Sequence, residues 1–487
     1  MKTLTLASAL IFAASTAVAT LPPRTASLHN LPDSVGNGLY DAAPISRSEN
    51  TIPRTANGTL KASDFLVNSS ALPLITFPLQ YSYAGRLPIS SEKNETRQLS
   101  FWYWPSSSSS GSKKLSIWLN GGPGHSSFLG FLGENGPISF QPGASAPSFN
   151  KYAWTNASDM LWIEQPVGAG FTIGTPSIKN ESMMADQFYG FLQQFYTVFP
   201  ELVKKELYLT GESYAGFFVP YIASRILHAS ASEKMKLPLN LQSFLVVDGV
   251  YSSFITRTNI PAASFAKKNQ QILDLNDTLV STLQNLTVSC GYQKVIDAAT
   301  YPPKGKIPLP DVDENSTTRD CSTASKFYSA VQDVNPCFKA YRVTDKCPTP
   351  DSNVNNEPYF SRPDLQKALH FDNFGNWTEF RGPVFVDGYD NSAYSETLFP
   401  DLLQRLPKGF SLWHGLVDSI VFNEGTRITI QNLTWGGQQG FQKPITTPLI
   451  VNGQQYGVYH TERHSVPQDQ PAASLHAFNW MLNGGKL

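Results

Sequence analysis

Gly211-Glu-Ser-Tyr-Ala-Gly216 sets a serine in a turn of small residues. The short apolar run Leu207-Tyr-Leu-Thr210 precedes it, and Tyr214 to Leu227 follows with helical spacing. A sharp strand-to-helix turn lifts a serine hydroxyl above a sheet edge, where it can attack a carbonyl. The strict Gly-x-Ser-x-Gly pattern fails, because Ala215 stands at the second glycine and Gly216 comes one place late. Alanine is the smallest replacement, so close packing remains feasible. Serine is inert at its own pKa and needs a neighbouring base. Asp418 follows the run Gly409-Phe-Ser-Leu-Trp413, and His464 opens His464-Ser-Val-Pro-Gln-Asp-Gln-Pro471. An imidazole can take the serine proton, and a carboxylate can fix its tautomer and stabilise the imidazolium. Taken singly, Asp418 reads as a turn acid and His464 as a structural histidine. Their order after Ser213, nucleophile then acid then base, joins the three.

A second glycine-rich run, Trp118-Leu-Asn-Gly-Gly-Pro-Gly-His-Ser-Ser127, also leaves a strand. Glycines there let backbone come close to a ligand. With the backbone N–H of Tyr214, this run could supply a pair of oxyanion donors. It is not a phosphate loop, since no Gly-Lys-Ser/Thr follows. His460 and His464 are spaced i, i+4, as zinc ligands can be. Glu462 is misplaced for His-Glu-x-x-His, and Pro467 cuts a helix short, so no metal is expected.

These residues need a sheet to hold them. Strand-like runs occur at Leu99–Trp104, Lys114–Leu119, Asp159–Glu164, Leu207–Thr210, Phe244–Asp248 and Gly409–Trp413. Helical spacing covers Asp186 to Phe199, Tyr214 to Leu227 and Ala472 to Leu482. Alternating strands and helices predict an α/β fold with a mostly parallel central sheet. The rhythm breaks over 250–350, which holds all four cysteines and reads as an inserted cap. The core therefore divides into 76–249 and 351–487, and its nucleophile–acid–base order is that of an α/β-hydrolase.

Charged residues make up only 15% of the 487, against about 25% in soluble proteins generally. The net charge of −1 offers no field for nucleic acid. Met1, Lys2, the apolar run from Leu4 to Val18 and Ala17-Val-Ala19 read as a cleaved secretory signal over 1–19. No later run is long and apolar enough for a membrane span. Residues 20–75, rich in Pro, Ser, Asn and Thr, read as an N-terminal arm or removable pro-segment. Ten Asn-x-Ser/Thr tripeptides fit a secretory glycoprotein: Asn57, Asn68, Asn94, Asn156, Asn180, Asn276, Asn285, Asn315, Asn376 and Asn432. In that compartment Cys290, Cys321, Cys337 and Cys347 are expected to form two disulfides, with three pairings open.

From about Leu79 to the C-terminus the chain resembles the serine carboxypeptidase family. The resemblance rests on Trp118-Leu-Asn-Gly-Gly-Pro-Gly, Gly133-Glu-Asn-Gly-Pro137, Glu164-Gln-Pro-Val-Gly-Ala-Gly170, Gly211-Glu-Ser-Tyr-Ala-Gly216, Gly415-x-x-Asp418 and His464-x-Val-Pro467, in the family's order. Ala215 belongs to that family's own elbow. The resemblance implies Ser213 as nucleophile, His464 as base and Asp418 as its orienter. It implies oxyanion N–H groups at Gly122 and Tyr214, and no cofactor. Asn120, Gly121, Glu134 and Glu212 would bind the substrate's C-terminal carboxylate. Two ionised glutamates would repel such a carboxylate, so one must hold a proton. The expected activity is release of C-terminal residues from peptides at acidic pH, through an acyl-enzyme, in the medium or a vacuole. An acyltransferase on the same scaffold is the alternative.

Two departures stand out. The family usually has cysteine at His125, and its partner position corresponds to Phe380, so both halves of one disulfide are absent together. The strand that usually precedes the catalytic histidine is also missing. His460-Thr-Glu-Arg-His464 runs directly into Val466-Pro467, and Tyr456-Gly-Val-Tyr-His460 is the only nearby strand candidate. Such a deletion would either carry His464 away from Ser213, impairing catalysis, or leave the Tyr456 segment to take the lost strand's place.

Overall fold

Successive residues of the strands point to opposite faces of one sheet, and both faces are apolar. In Gln98–Trp104, Leu99, Phe101 and Tyr103 enter one core while Trp102 and Trp104 enter the other. Asp159–Glu164 repeats the split, with Leu161 and Ile163 against Met160 and Trp162. Burial on both sides explains why these strands read as continuous apolar runs rather than alternating ones. It also explains a chain so short of charge.

The computed structural model describes residues 60–310, 320–348, 356–446, 449–451, 454–456 and 464–485. The proposed signal and most of the N-terminal arm lie outside these, as do Asn57 and Asn315. The sheet has eight strands. In chain order they are β1 Leu66–Val67, β2 Ser82–Pro88, β3 Gln98–Trp104, β4 Lys114–Leu119, β5 Asp159–Glu164, β6 Glu206–Glu212, β7 Asn240–Val247 and β8 Phe410–Trp413. In space the order is β1-β2-β3-β5-β4-β6-β7-β8. The first three strands pair antiparallel, as do β3 and β5, and every pair from β5 to β8 is parallel. The C-terminal ends of β4, β6, β7 and β8 thus share one edge, where ligands bind in sheets of this kind.

Helix α1, Glu181–Val198, starts five residues before the predicted Asp186, because Asn180 caps it by accepting from Met183 N at 3.0 Å. Helix α2, Ala215–Leu227, follows the serine turn and packs on α1 beneath the sheet. A further group of helices, among them Ile260–Lys268, Asp277–Ser289, Tyr292–Ala298 and Thr323–Val334, builds its own apolar clusters. Val417, Phe422 and Ile428 from the later core segment join those clusters. Of the three possible pairings, the cysteines form Cys290–Cys321 and Cys337–Cys347.

Among the described asparagines of the ten tripeptides, Asn68, Asn94, Asn276, Asn285 and Asn376 are exposed. Asn156, Asn180 and Asn432 are half-buried; Asn180 is the cap of α1, and the side-chain nitrogens of Asn156 and Asn432 donate to the Lys151 and Ile307 carbonyls at 2.9 and 3.3 Å.

Gly216 marks where α2 meets the turn after β7. A Cβ there would fall 2.4 Å from Val250 O and 2.6 Å from Val250 N, backbone atoms with no freedom to yield. Gly216→Ala is therefore expected to destabilise the fold by about 1–3 kcal/mol, read as a lowered denaturant midpoint at unchanged m-value.

Candidate active site

Strand β6 ends at Glu212, and Ser213 takes φ +62°, a strained conformation for a side-chain-bearing residue. The surroundings over-determine it. Ser213 N donates to Val247 O at 2.9 Å, and Ser213 O accepts from Gly216 N at 2.9 Å and Val250 N at 3.0 Å. The side chain remains half-buried, within reach of a substrate. The run after β4 closes on this turn. A Cβ on Gly121 would lie 2.3 Å from Tyr214 N and 2.9 Å from Ser213 Cβ. Only glycine permits that approach, which brings the Gly121-Gly122 backbone beside the Tyr214 N–H. That close approach is what a pair of backbone donors beside Ser213 would require.

Asp418 lies beyond β8 and is buried. Ile420 N donates to its Oδ1 at 2.8 Å and Val421 N to its Oδ2 at 3.2 Å. His464 Nδ1 lies 2.7 Å from the same Oδ2, the contact that orients an imidazole for proton transfer. His464 N donates to Tyr341 O at 3.0 Å, and the Tyr341 ring lies 5.0 Å from the imidazole, edge-on. Burial pulls the His464 pKa down. The charge and hydrogen bond of Asp418, with Asp248 and Glu134 behind it, outweigh burial and hold it above its ordinary value.

Gln454–Tyr456 pairs antiparallel with Leu449–Val451 in a separate two-stranded sheet. It does not take the lost strand's place, and among the described residues no strand extends the main sheet past β8. Residues 457–463, with the rest of the Tyr456 segment, lie outside the described residues. His464 is anchored instead by Asp418 and the Tyr341 carbonyl. Its Nε2 is buried with no hydrogen-bond partner among the described residues, so the contact with Ser213 is not closed. Such contacts commonly tighten only when substrate binds.

His125 and Phe380 do face each other. They form an antiparallel bridge, with ring centroids 5.5 Å apart. Burial, then the charge of His464, pushes His125 down to about 4. It keeps company with Phe380 rather than an acid, which argues against a role as base.

Glu134 sits in the turn Phe131–Asn135, fixed by Phe131 stacked 4.1 Å from Trp102 and by Trp162 Nε1 donating to Asn135 at 2.9 Å. Both Glu134 and Glu212 are buried. Burial pushes the Glu212 carboxyl well above its ordinary range. The charge of Glu134 and a hydrogen bond with it, then the charges of Asp248 and Asp418, push the same way. Asn120 Oδ1 accepts from Trp118 Nε1 at 2.7 Å and Gly130 N at 3.1 Å, which aims its amide nitrogen away from both.

Two residues at this edge had no role in the sequence reading. Asp248 directly follows β7 at φ +46°, and both its oxygens accept from Gly415 N, at 2.9 and 3.0 Å. His414 Nδ1 lies 3.0 Å from Asp248 Oδ1. The available signal was an acid ending a buried strand beside the nucleophile's strand.

Glu164, Glu181 and Glu212 are all buried with pKa values raised, first by burial. A carboxyl raised on folding contributes stability fully present below its unfolded value, about 4.3, and lost as pH climbs to the folded value. The thermal midpoint is expected to be higher at pH 5 than at pH 8, and Glu212→Gln should narrow the difference, read by scanning calorimetry.

The family model described as serine carboxypeptidase matches residues 73–484. A probable serine carboxypeptidase of Arthroderma benhamiae is 36% identical, over 94% of this chain and 92% of its own. Serine-type carboxypeptidase F of Aspergillus niger is 30% identical, over 92% and 93%. The crystal structure of a prohormone-processing carboxypeptidase from Saccharomyces cerevisiae superposes with a TM-score of 0.68, covering 87% of this chain and 96% of that one. At 23% identity it speaks to the fold, which is the α/β-hydrolase fold. The chain belongs to the serine carboxypeptidase family.

Proposed function

We propose that the protein releases C-terminal residues from peptides at acidic pH, with Ser213, Asp418 and His464 as its catalytic residues. His464 Nε2 takes the hydroxyl proton as Ser213 Oγ attacks the scissile carbonyl carbon. The N–H groups of Gly122 and Tyr214 stabilise the oxyanion. The C–N bond then breaks, and the imidazolium returns its proton to the leaving amine. Water, deprotonated by His464, attacks the acyl-enzyme in turn and frees Ser213. Asp418 holds the imidazole in place throughout.

The observation that carries this reading is the buried Glu134–Glu212 pair beside the serine turn. A carboxyl group that keeps its proton can donate to a substrate carboxylate, where an ionised one repels it. Asn120 and the Gly121 N–H complete the donor set. An exported setting is supported by the N-terminal signal pattern, the two disulfides and the five exposed glycosylation tripeptides. No helix among the described residues is long and apolar enough to cross a membrane.

Peptides with a free C-terminus should lose single residues, and their amidated counterparts should be much poorer substrates. KM is expected to climb about tenfold per pH unit once pH passes the raised Glu212 pKa, and Glu212→Gln should flatten that climb. Ser213→Ala should lower kcat on the order of a millionfold and abolish fluorophosphonate labelling. Release confined to pH above neutral would overturn the carboxylate-binding assignment.

A further inference from the structure

Behind the Asp418–His464 contact lies a second acid–histidine pair. Asp248 is fully buried, His414 nearly so, and their contact is 3.0 Å. The parallel register of β7 and β8 creates it. Val247 lies beside Trp413, so the next residue of each strand emerges side by side at the sheet edge. Asp248 N donates to Trp413 O at 2.8 Å and locks that alignment. A nitrogen of His464 and oxygens of Asp248 and Asp418 all fall within 4.8 Å of one another. The catalytic imidazole thus has two carboxylates at close range, only one of them its hydrogen-bond partner.

We propose that Asp248, held by His414, is a positioning residue of the acid–base centre that acts through space on His464. The inference rests on His464 as the base of the proposed reaction. His414 is the part that makes the pair effective. An ion pair of Asp248 with a charged His414 would cancel the field at His464. A neutral His414, donating Nδ1–H, leaves the charge on Asp248 intact. Burial, the dominant influence on His414, pushes it down to about 4, so it stays neutral through the mildly acidic range. The Gly415 N–H, shared by both Asp248 oxygens, adds a second donor, and such donors favour the charged form of a carboxylate.

His464 faces Asp418, Asp248 and Glu134, and it interacts with His125 and His414. Asp248 also faces Glu212 and the Tyr251 phenol, and raises both. The same carboxylate therefore favours the imidazolium in His464 and the proton on Glu212. One charge thus acts on both the base and the carboxylate clamp: it moves the acidic limb of His464 upward and extends the protonated form of Glu212 toward higher pH.

The test is a histidine NMR titration of the full chain, with His464→Gln to assign the resonance. Fluorophosphonate labelling of Ser213 is followed against pH in parallel. Asp248→Asn removes the charge, keeps an acceptor for Gly415 N–H and tolerates a positive φ. The His464 midpoint is expected to fall by about one pH unit, and the acidic limb of labelling to move down with it. His414→Asn, which keeps a donor near the Nδ1 position, should leave the midpoint where it was. An unchanged midpoint in Asp248→Asn, with Ser213 still labelled, overturns the proposal and leaves the catalytic reading standing. An equal shift in both variants overturns the assignment to Asp248. No labelling of Ser213 in the unsubstituted chain overturns the catalytic reading itself, whatever the midpoints.

Discussion

A carboxylate buried beside other carboxylates must find donors or keep its proton. At the C-terminal edge of this sheet that rule acts on Glu134, Glu212, Asp248 and Asp418 at once, all behind one serine turn. Each meets it differently. Asp418 is satisfied by two backbone N–H groups and an imidazole, Asp248 by one N–H and a second imidazole. Glu212 has Glu134 for company and, among the described residues, no cation beside it, and its carboxyl is pushed well above its ordinary range, first by burial. Charge and neutrality are thereby sorted within a few side chains, and the acid–base chemistry follows from the sorting.

Such a sorting holds only if backbone positions are fixed, and the sheet fixes them. Its tryptophans and phenylalanines fill both faces, with Trp102, Trp118 and Trp162 fully buried on the side of the Glu134 turn. The parallel strands end together, so the turns after β4, β6, β7 and β8 are delivered to one edge. Close backbone approach at Gly121 and Gly216 then locks the serine turn between its neighbours.

Much of this was legible in the sequence, and the parts that were not share a cause. The strand runs, the serine turn and the order of Ser213, Asp418 and His464 are local patterns read within a few residues. Glu134 and Glu212 were legible only through the family resemblance, since nothing in their spacing puts them together. Asp248 and His414 were invisible because 166 residues separate them and only the β7–β8 register joins them. The cysteine pairing was open for the same reason, because sequence order does not fix spatial neighbours. The anchoring of His464 without its expected strand depends on Tyr341, 123 positions earlier in numbering, a contact no local pattern announces.

The His125–Phe380 contact gives the folding chain an asymmetry. The glycine-rich run beside the serine turn is braced by two rings where the family usually has a thiol pair. All four cysteines sit in the segment that packs above it. Closure of that run is therefore independent of any electron acceptor, whereas the covalent fastening of the cysteine-bearing segment depends on one. The two fastenings meet at His464, because Tyr341, whose carbonyl accepts from His464 N, lies inside the loop closed by Cys337–Cys347.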